Sequence, residues 1–357
     1  MTGRRRPDES VTGSVERLSM DLAAPFGIAR GTTRTTESVL VELTADGETG
    51  VGAAAPARHY GETADTVVAV LPDLLDAVDD RDPLALRAIE TDLAEVVRGN
   101  PAARASVAIA AADLAARRLD VPLYRLWGVD PATAAVPRSS FTVGIADPEE
   151  MARRATAAVD GGVTVLKLKL RGDRAADERA VAAVREAAPE ARIRVDANEA
   201  FRPREAVATA EAIAAHGVEF VEQPVPAANH DGLAFVHDNA PLPVAVDESC
   251  LVASDVPRVA DRADVVVLKL MKTGGPVAAL DAIAAARAHG LEVMLGCMVE
   301  SSASIAAAAH LVPLVDYADL DGSLLLADDE DPLEGVVRED GAIELSSVER
   351  GTGVTRP

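Results

Sequence analysis

Residues 165–170 read VLKLKL. Alternation along a β-strand places Lys167 and Lys169 on one face and Leu166, Leu168 and Leu170 on the other. If the leucines pack against an outer layer of helices, both ammonium groups point inward. Burial there is costly unless each is paired or put to use. The stretch also stands out against the composition. Among 35 basic residues only Lys167, Lys169, Lys269 and Lys272 are lysine; the other 31 are arginine. A lysine pair can instead mark a solvated strand edge that blunts aggregation, a weak account in a chain that avoids lysine elsewhere.

Outward from this strand, a rhythm runs from about residue 139. The apolar runs are SFTVGI (140–145), VTVLKLKL (163–170), RIRVDAN (192–198), VEFVEQP (218–224), LPVAVDES (242–249), DVVVLKL (264–270), LEVMLGC (291–297) and VDYADLD (315–321). Alanine-rich amphipathic stretches separate them. One, DPEEMARRATAAVDGG, opens with Asp147 as N-cap, Pro148 in the first turn and Glu150 three residues after the cap. Two others end at a glycine suited to a C-cap. Eight strands alternating with helices predict an α/β fold with a parallel (β/α)8-type barrel. The polar residues argue for closure, because the runs end in Lys169, Asp196, Glu222, Asp247, Lys269, Glu300 just beyond its run, and Asp319 with Asp321. Barrel strands open their C-terminal ends onto one face, where such folds do chemistry.

The rest of the chain reads differently. Residues 1–13 are expected to be disordered, and 14–130 form an α+β domain of antiparallel strands, with a turn at Asp46-Gly47, followed by three helices. The barrel takes residues 131–322. The tail, 323–357, has short strands around Asp340-Gly341 and is expected to return to the first domain.

With 48% hydrophobic residues in 357, the chain can bury a large core. Its formal charge of −23 argues against nucleic acid or an anionic membrane as partner. Abundant Asp and Glu with little lysine suggests a halophilic protein adapted to a salty cytoplasm, where screening relieves self-repulsion. Cys250 and Cys297 suit a reducing compartment. The N-terminus lacks the apolar core of a secretory signal, and no apolar run reaches the ~18 residues of a membrane span. A cytoplasmic location is expected.

Asp196, Glu222 and Asp247 stand at successive strand ends, 26 and 25 residues apart. Three converging oxygens with open positions suit one Mg²⁺. Singly, each reads equally well as a salt bridge or helix cap; together, in consecutive units flanked by lysines, they read as ligands. Lys269 comes from the strand opposite that of Lys169. A metal on a carboxylate eases the departure of an α-proton, and a desolvated lysine beside a cation has a lowered pKa and acts as base. One lysine on each face allows the stereocentre to invert. Lys272, in MKTGG, reads as a loop or helix-start residue of little functional weight.

These residues resemble the enolase superfamily and, within it, the muconate-lactonising subgroup. The resemblance rests on K-x-K at 167–169, D-x-N at 196–198, the Glu of VEQP at 222, DES at 247–249 and K-x-x-K-T-G-G at 269–275, and it covers nearly the whole chain. It implies a (β/α)7β barrel with an N-terminal capping domain completed by the C-terminal tail, and, by default, a homo-oligomer. Lys169 and Lys269 would be the acid/base pair, with Lys167 and Thr142 on the substrate side. Asp196, Glu222 and Asp247 would hold Mg²⁺, and Asn198 and Glu248 would orient ligands or lysines. The segment DLDGSLLL, with Asp319 and Asp321, is similar to the D-x-D signature of dipeptide epimerases, in which an acidic pair holds the α-ammonium of a dipeptide. Their favoured substrate is L-Ala-D/L-Glu. Arg30 or Arg34, in the resembling capping loop, would pair with a glutamate side chain. The family often has Glu where this chain has Ala53, which leaves side-chain specificity open.

The alternatives are an o-succinylbenzoate synthase or muconate cycloisomerase, whose substrates carry no ammonium, and a non-catalytic relative that kept the metal site. The acidic pair speaks against the first, and the complete set of lysines and carboxylates against the second. Capping beside a tight turn at Gly322 is the alternative, less favoured reading of Asp319 and Asp321.

Overall fold

The computed structural model describes residues 11–130 and 136–356. The expected disorder over 1–13 thus falls largely outside the described residues; Val11 is buried, and Thr12 opens the first strand. That strand, β1 (Thr12–Ile28), pairs antiparallel with β2 (Gly31–Ala45), which pairs with β3 (Glu48–Ala54) across the Asp46-Gly47 turn. Register is broken between Asp21 and Phe26, a bulge of the kind that bends strands beside functional sites. Helices Ala64–Asp79, Leu86–Val96 and Pro101–Arg118 follow. The last is largely buried alanine and lies against β3, so its low bulk sets the close helix–sheet spacing.

The eight apolar runs become β4 (Phe141–Val143), β5 (Val165–Lys169), β6 (Arg192–Asp196), β7 (Val218–Glu222), β8 (Val244–Val246), β9 (Val265–Leu268), β10 (Glu292–Gly296) and β11 (Tyr317–Asp319). They form one parallel sheet in sequence order. Ser139, just before β4, bridges Ala318 of β11, and the Ser140 N–H donates to the Ala318 carbonyl at 3.0 Å, which closes the barrel. Leu166, Leu168 and Leu170 join the core shared with the outer helices, while Phe220, Ala245, Val265, Val267 and Met294 fill the interior. After β11 the chain makes only a 3₁₀ turn, Gly322–Leu325, so the eighth strand has no helix of its own.

Two local details differ from the sequence reading. Asp147 takes the extended N-cap conformation before Pro148–Asp160, but its side chain makes no cap hydrogen bond. Glu150 pairs with Arg153 and Arg154 instead, because guanidinium donors lie one turn along its own helix. The Asp340-Gly341 turn, flanked by the Val337–Ile343 bridge, docks on the barrel, where the Ser139 N–H donates to the Gly341 carbonyl. Other parts of the tail reach the N-terminal unit: the Ala327 N–H donates to the Asp21 carbonyl at 2.9 Å, the Thr352 N–H donates to Asp113 at 2.7 Å and Arg350 pairs with Glu48 at 2.9 Å.

The β1–β2 hairpin lies across the barrel mouth. Leu22 bridges Leu326, Thr36 Oγ1 donates to the Val299 carbonyl at 3.1 Å, and the Ile145 N–H donates to the Gly27 carbonyl at 2.8 Å. No helix among the described residues is long and apolar enough to cross a membrane.

Candidate active site

Each charged residue of interest ends its strand or follows it directly. Lys169, Asp196, Glu222 and Asp319 are last residues of β5, β6, β7 and β11; Asp247 and Lys269 follow β8 and β9. Parallel register then aligns Lys169 with Asp196 and Asp196 with Glu222. The three carboxylate strands are the three that separate the two lysine strands.

The charges are closely paired. Lys169 Nζ is 2.6 Å from Asp196 and Lys269 Nζ 2.7 Å from Asp247. Lys167 Nζ, almost fully buried, reaches Asp319 at 2.7 Å, Glu222 at 2.8 Å and Asp196 at 3.4 Å. Burial pushes the Asp196 carboxyl up, but Lys169 and Lys167 outweigh it and hold it below the usual carboxylate range. Burial is likewise overcome at Asp247, by Lys269 and Lys272. Glu222 goes the other way: burial and then Asp196 push it up to about 8. Burial lowers the Lys269 ammonium, but Asp247 and then Tyr60 outweigh it and hold it above its ordinary value.

Lys272 was undervalued by its sequence context. It is buried on the single turn Leu270–Thr273, where i+3 spacing from Lys269 brings its Nζ to the opposite side of Asp247. It donates to Asp247 Oδ1 and to the carbonyls of Asp247, Val267 and Cys250 at 2.7, 2.8 and 3.1 Å. Gln223, also unanticipated, accepts from the backbone N–H groups of Asp247 and Ser249. The spacing K-x-x-K and the Gln of VEQP were the available signals.

Asp319 accepts from Ser140 Oγ as well as Lys167, and Asp321 from the N–H and hydroxyl of Thr142. Burial, then Asp319, raises the Asp321 carboxyl to about 7. Gly322 serves packing rather than a turn conformation: a Cβ there would fall 1.9 Å from the Met298 carbonyl oxygen. The acidic pair is thus tied to β4 and β5, and capping of a tight turn does not explain it.

At the hairpin tip, Arg30 Nη1 lies 2.8 Å from Glu248, 3.3 Å from Glu199 and 3.2 Å from the Asn198 carbonyl. His59 Nε2 is 3.5 Å from Glu199. Arg34 is exposed on β2, and among the described residues no hydrogen bond or ion pair joins it to the mouth. Asn198 donates from its N–H and side-chain amide to Asp196, at 2.8 and 3.3 Å. Glu248, expected to orient ligands or lysines, makes its ion contact with Arg30 at the hairpin.

The donor set fits a hard divalent cation. Asp196, Glu222 and Asp247 offer only oxygen, and Glu222 Oε2 accepts no hydrogen bond although Lys167 lies 2.8 Å away. Asn198 Oδ1 is likewise buried without a donor. Acceptors in surplus over donors around a raised carboxyl are what a dication relieves.

Residues 12–128 match the model of the mandelate racemase / muconate lactonizing enzyme N-terminal domain, and 150–356 that of the enolase C-terminal domain-like family. The chain belongs to this family. An L-Ala-D/L-Glu epimerase of Escherichia coli is 37% identical over 312 residues, 87% of this chain and 93% of that protein. A hydrophobic dipeptide epimerase of Roseobacter litoralis is 38% identical, covering 92% of this chain and 94% of its own. A dipeptide epimerase from Enterococcus faecalis, solved with Mg and L-Leu-L-Tyr, superposes with a TM-score of 0.91 at 31% identity, covering 97% of this chain and all of that one.

Proposed function

We propose that this protein is a Mg²⁺-dependent dipeptide epimerase, inverting the α-carbon of the C-terminal residue by moving a proton between two lysines. The observation that carries the reading is the placement of Lys169 and Lys269 four strands apart in an eight-stranded barrel, with the three carboxylates on the strands between. The names of the similar proteins support it.

Asp196, Glu222 and Asp247 would hold Mg²⁺, which when bound supplies the positive charge that a substrate carboxylate needs as its α-proton leaves. Lys169 and Lys269 take the two faces of the flattened α-carbon, one removing a proton and the other returning one. With a cation on the carboxylates, Lys169 and Lys269 would turn from their ion pairs with Asp196 and Asp247 toward the substrate. Asp319 and Asp321 receive the dipeptide's ammonium, oriented by Ser140 and Thr142. Lys167 binds between Asp319 and Glu222 and links the ammonium end to the carboxylate end. Asn198 orients Asp196. The acidic composition, 58 Asp and Glu against 35 Lys and Arg, supports work in a salty cytoplasm, and a homo-oligomer is part of the same reading.

The test is α-proton exchange followed by NMR in D₂O with Mg²⁺ over a dipeptide library, at low and high salt. Exchange with inversion at the C-terminal residue is expected, strongest at high salt. No exchange with any dipeptide, in folded Mg²⁺-binding protein, would remove the epimerase reading and favour elimination or ring-closure substrates.

A further inference from the structure

The wall on the cap side of the mouth carries a charge pattern that bears on which dipeptide enters. Arg30 is the permanent cation in direct contact with this wall among the described residues, and it is already shared between two carboxylates and a carbonyl. Glu199 is fixed from the other side as well, since its Oε1 accepts the Ala227 N–H at 2.7 Å. Its backbone, at φ 70, lies in the left-handed region, a conformation that costs a non-glycine residue on the order of 1 kcal/mol and is maintained only where the surroundings impose it. Glu248 is more telling. Its side chain is 1% exposed, and among the described residues neither carboxylate oxygen accepts a hydrogen bond. Oε1 has the ion contact with Arg30, while Oε2 has no donor among the described residues. His59 completes the group; burial and then Arg30 lower its pKa, so it adds no positive charge near neutrality. One oxygen of Glu199, one of Glu248 and a ring nitrogen of His59 lie within 4.8 Å of one another.

We propose that Glu199 and Glu248, with Arg30 held between them, select dipeptides whose C-terminal side chain is cationic, of the lysine or arginine class, over those with an acidic one. The inference rests on the epimerase reading for its orientation. The lysines occupy the two faces of the α-carbon, its carboxylate turns to Asp196, Glu222 and Asp247, and its amide nitrogen leads toward Asp319 and Asp321. The side chain is the substituent left to face the cap. There it meets two carboxylates against one guanidinium, and a buried oxygen that lacks a donor. An ammonium or guanidinium brings both the missing donor and the missing charge. A glutamate side chain would place a third carboxylate beside the other two and would have to strip Arg30 from them. The structure thereby assigns Arg30 to holding the wall, and not to receiving an acidic substrate.

The test compares L-Ala-L-Lys, L-Ala-L-Arg, L-Ala-L-Leu and L-Ala-L-Glu with Mg²⁺-loaded wild-type protein, measuring both calorimetric Kd and kcat/KM by α-proton exchange. The expected result is tighter binding and at least tenfold higher kcat/KM for the two cationic dipeptides than for L-Ala-L-Glu. In Glu199→Gln the preference for lysine over leucine falls about tenfold, carried by KM rather than kcat, and Glu199→Asp restores part of it. Equal or tighter binding of L-Ala-L-Glu overturns the proposal, as does binding of none of the four. Tighter binding of the cationic dipeptides without turnover would leave the selectivity standing and remove the epimerase reading.

Discussion

Lys169 and Lys269 sit on opposite sides of the barrel, each within 2.7 Å of a different carboxylate, Asp196 and Asp247 respectively. Because Glu222 lies on the strand midway between them, the two bases bracket the carboxylate cluster and neither crowds the other. Each base can then be removed alone. Lys169→Ala and Lys269→Ala are expected to lower the rate of inversion on the order of 10³-fold, the weight of one general acid or base. Each variant should still exchange the α-proton of the one isomer its remaining lysine faces. Arginine replacements should be no better, since arginine remains protonated. Inversion by either alanine variant at near wild-type rate would dismiss a two-base mechanism.

Mg²⁺ removal is expected to abolish exchange, and readdition to restore it. A quieter test lies beside the ligands. Asn198 adopts φ 43 and donates its side-chain amide to Asp196, so Asn198→Gly keeps the backbone comfortable and removes that donor together with the buried Oδ1. Calorimetry should show Mg²⁺ bound about tenfold more weakly, in line with the effect of orienting groups around other metals. Unchanged affinity would mean that Asp196 is oriented by other contacts.

Lys272 satisfies Asp247 and three carbonyls from a buried position. Lys272→Met removes the charge while keeping the length, and it leaves Asp247 buried with one partner fewer. A loss of roughly 3–5 kcal/mol in urea-unfolding free energy is expected. A loss under about 1 kcal/mol would show that Lys269 alone suffices for Asp247.

His310 ties three parts of the chain together. Its Nδ1 accepts the Tyr124 N–H at 3.1 Å and its Nε2 donates to the Thr352 carbonyl at 3.1 Å, an arrangement only the neutral ring satisfies. Burial holds its pKa at about 4 against an ordinary 6.5. The unfolded chain therefore binds the extra proton first as pH falls. The stabilisation is complete above pH 6.5 and is lost on descending to about 4, up to roughly 3 kcal/mol. The stability gap between wild type and His310→Gln should accordingly narrow from pH 7.5 to pH 4.5. A gap that stays constant would remove His310 from the acid sensitivity.

What could be read before any coordinates was local. Short apolar runs between alanine-rich amphipathic stretches identified the eight barrel strands, and charged residues at their ends identified Lys169, Lys269, Asp196, Glu222 and Asp247. What escaped depends on contacts between distant segments. Lys272 looks like a helix-start residue until the loop after β8 folds against it, and Asp147 looks like a capping side chain although it makes no cap bond. Arg30 carries the same charge in sequence whether it is open to a substrate or already engaged. Only the closure of the β1–β2 hairpin over the loops after β6 and β8 decides between them, by placing Glu199 and Glu248 at its guanidinium. Strand, face and strand end follow from residue order, because side-chain direction alternates along a chain. Which buried charge answers which is set by segments up to a few hundred residues apart, as with Arg30 and Glu248, and that pairing exists only in the folded molecule.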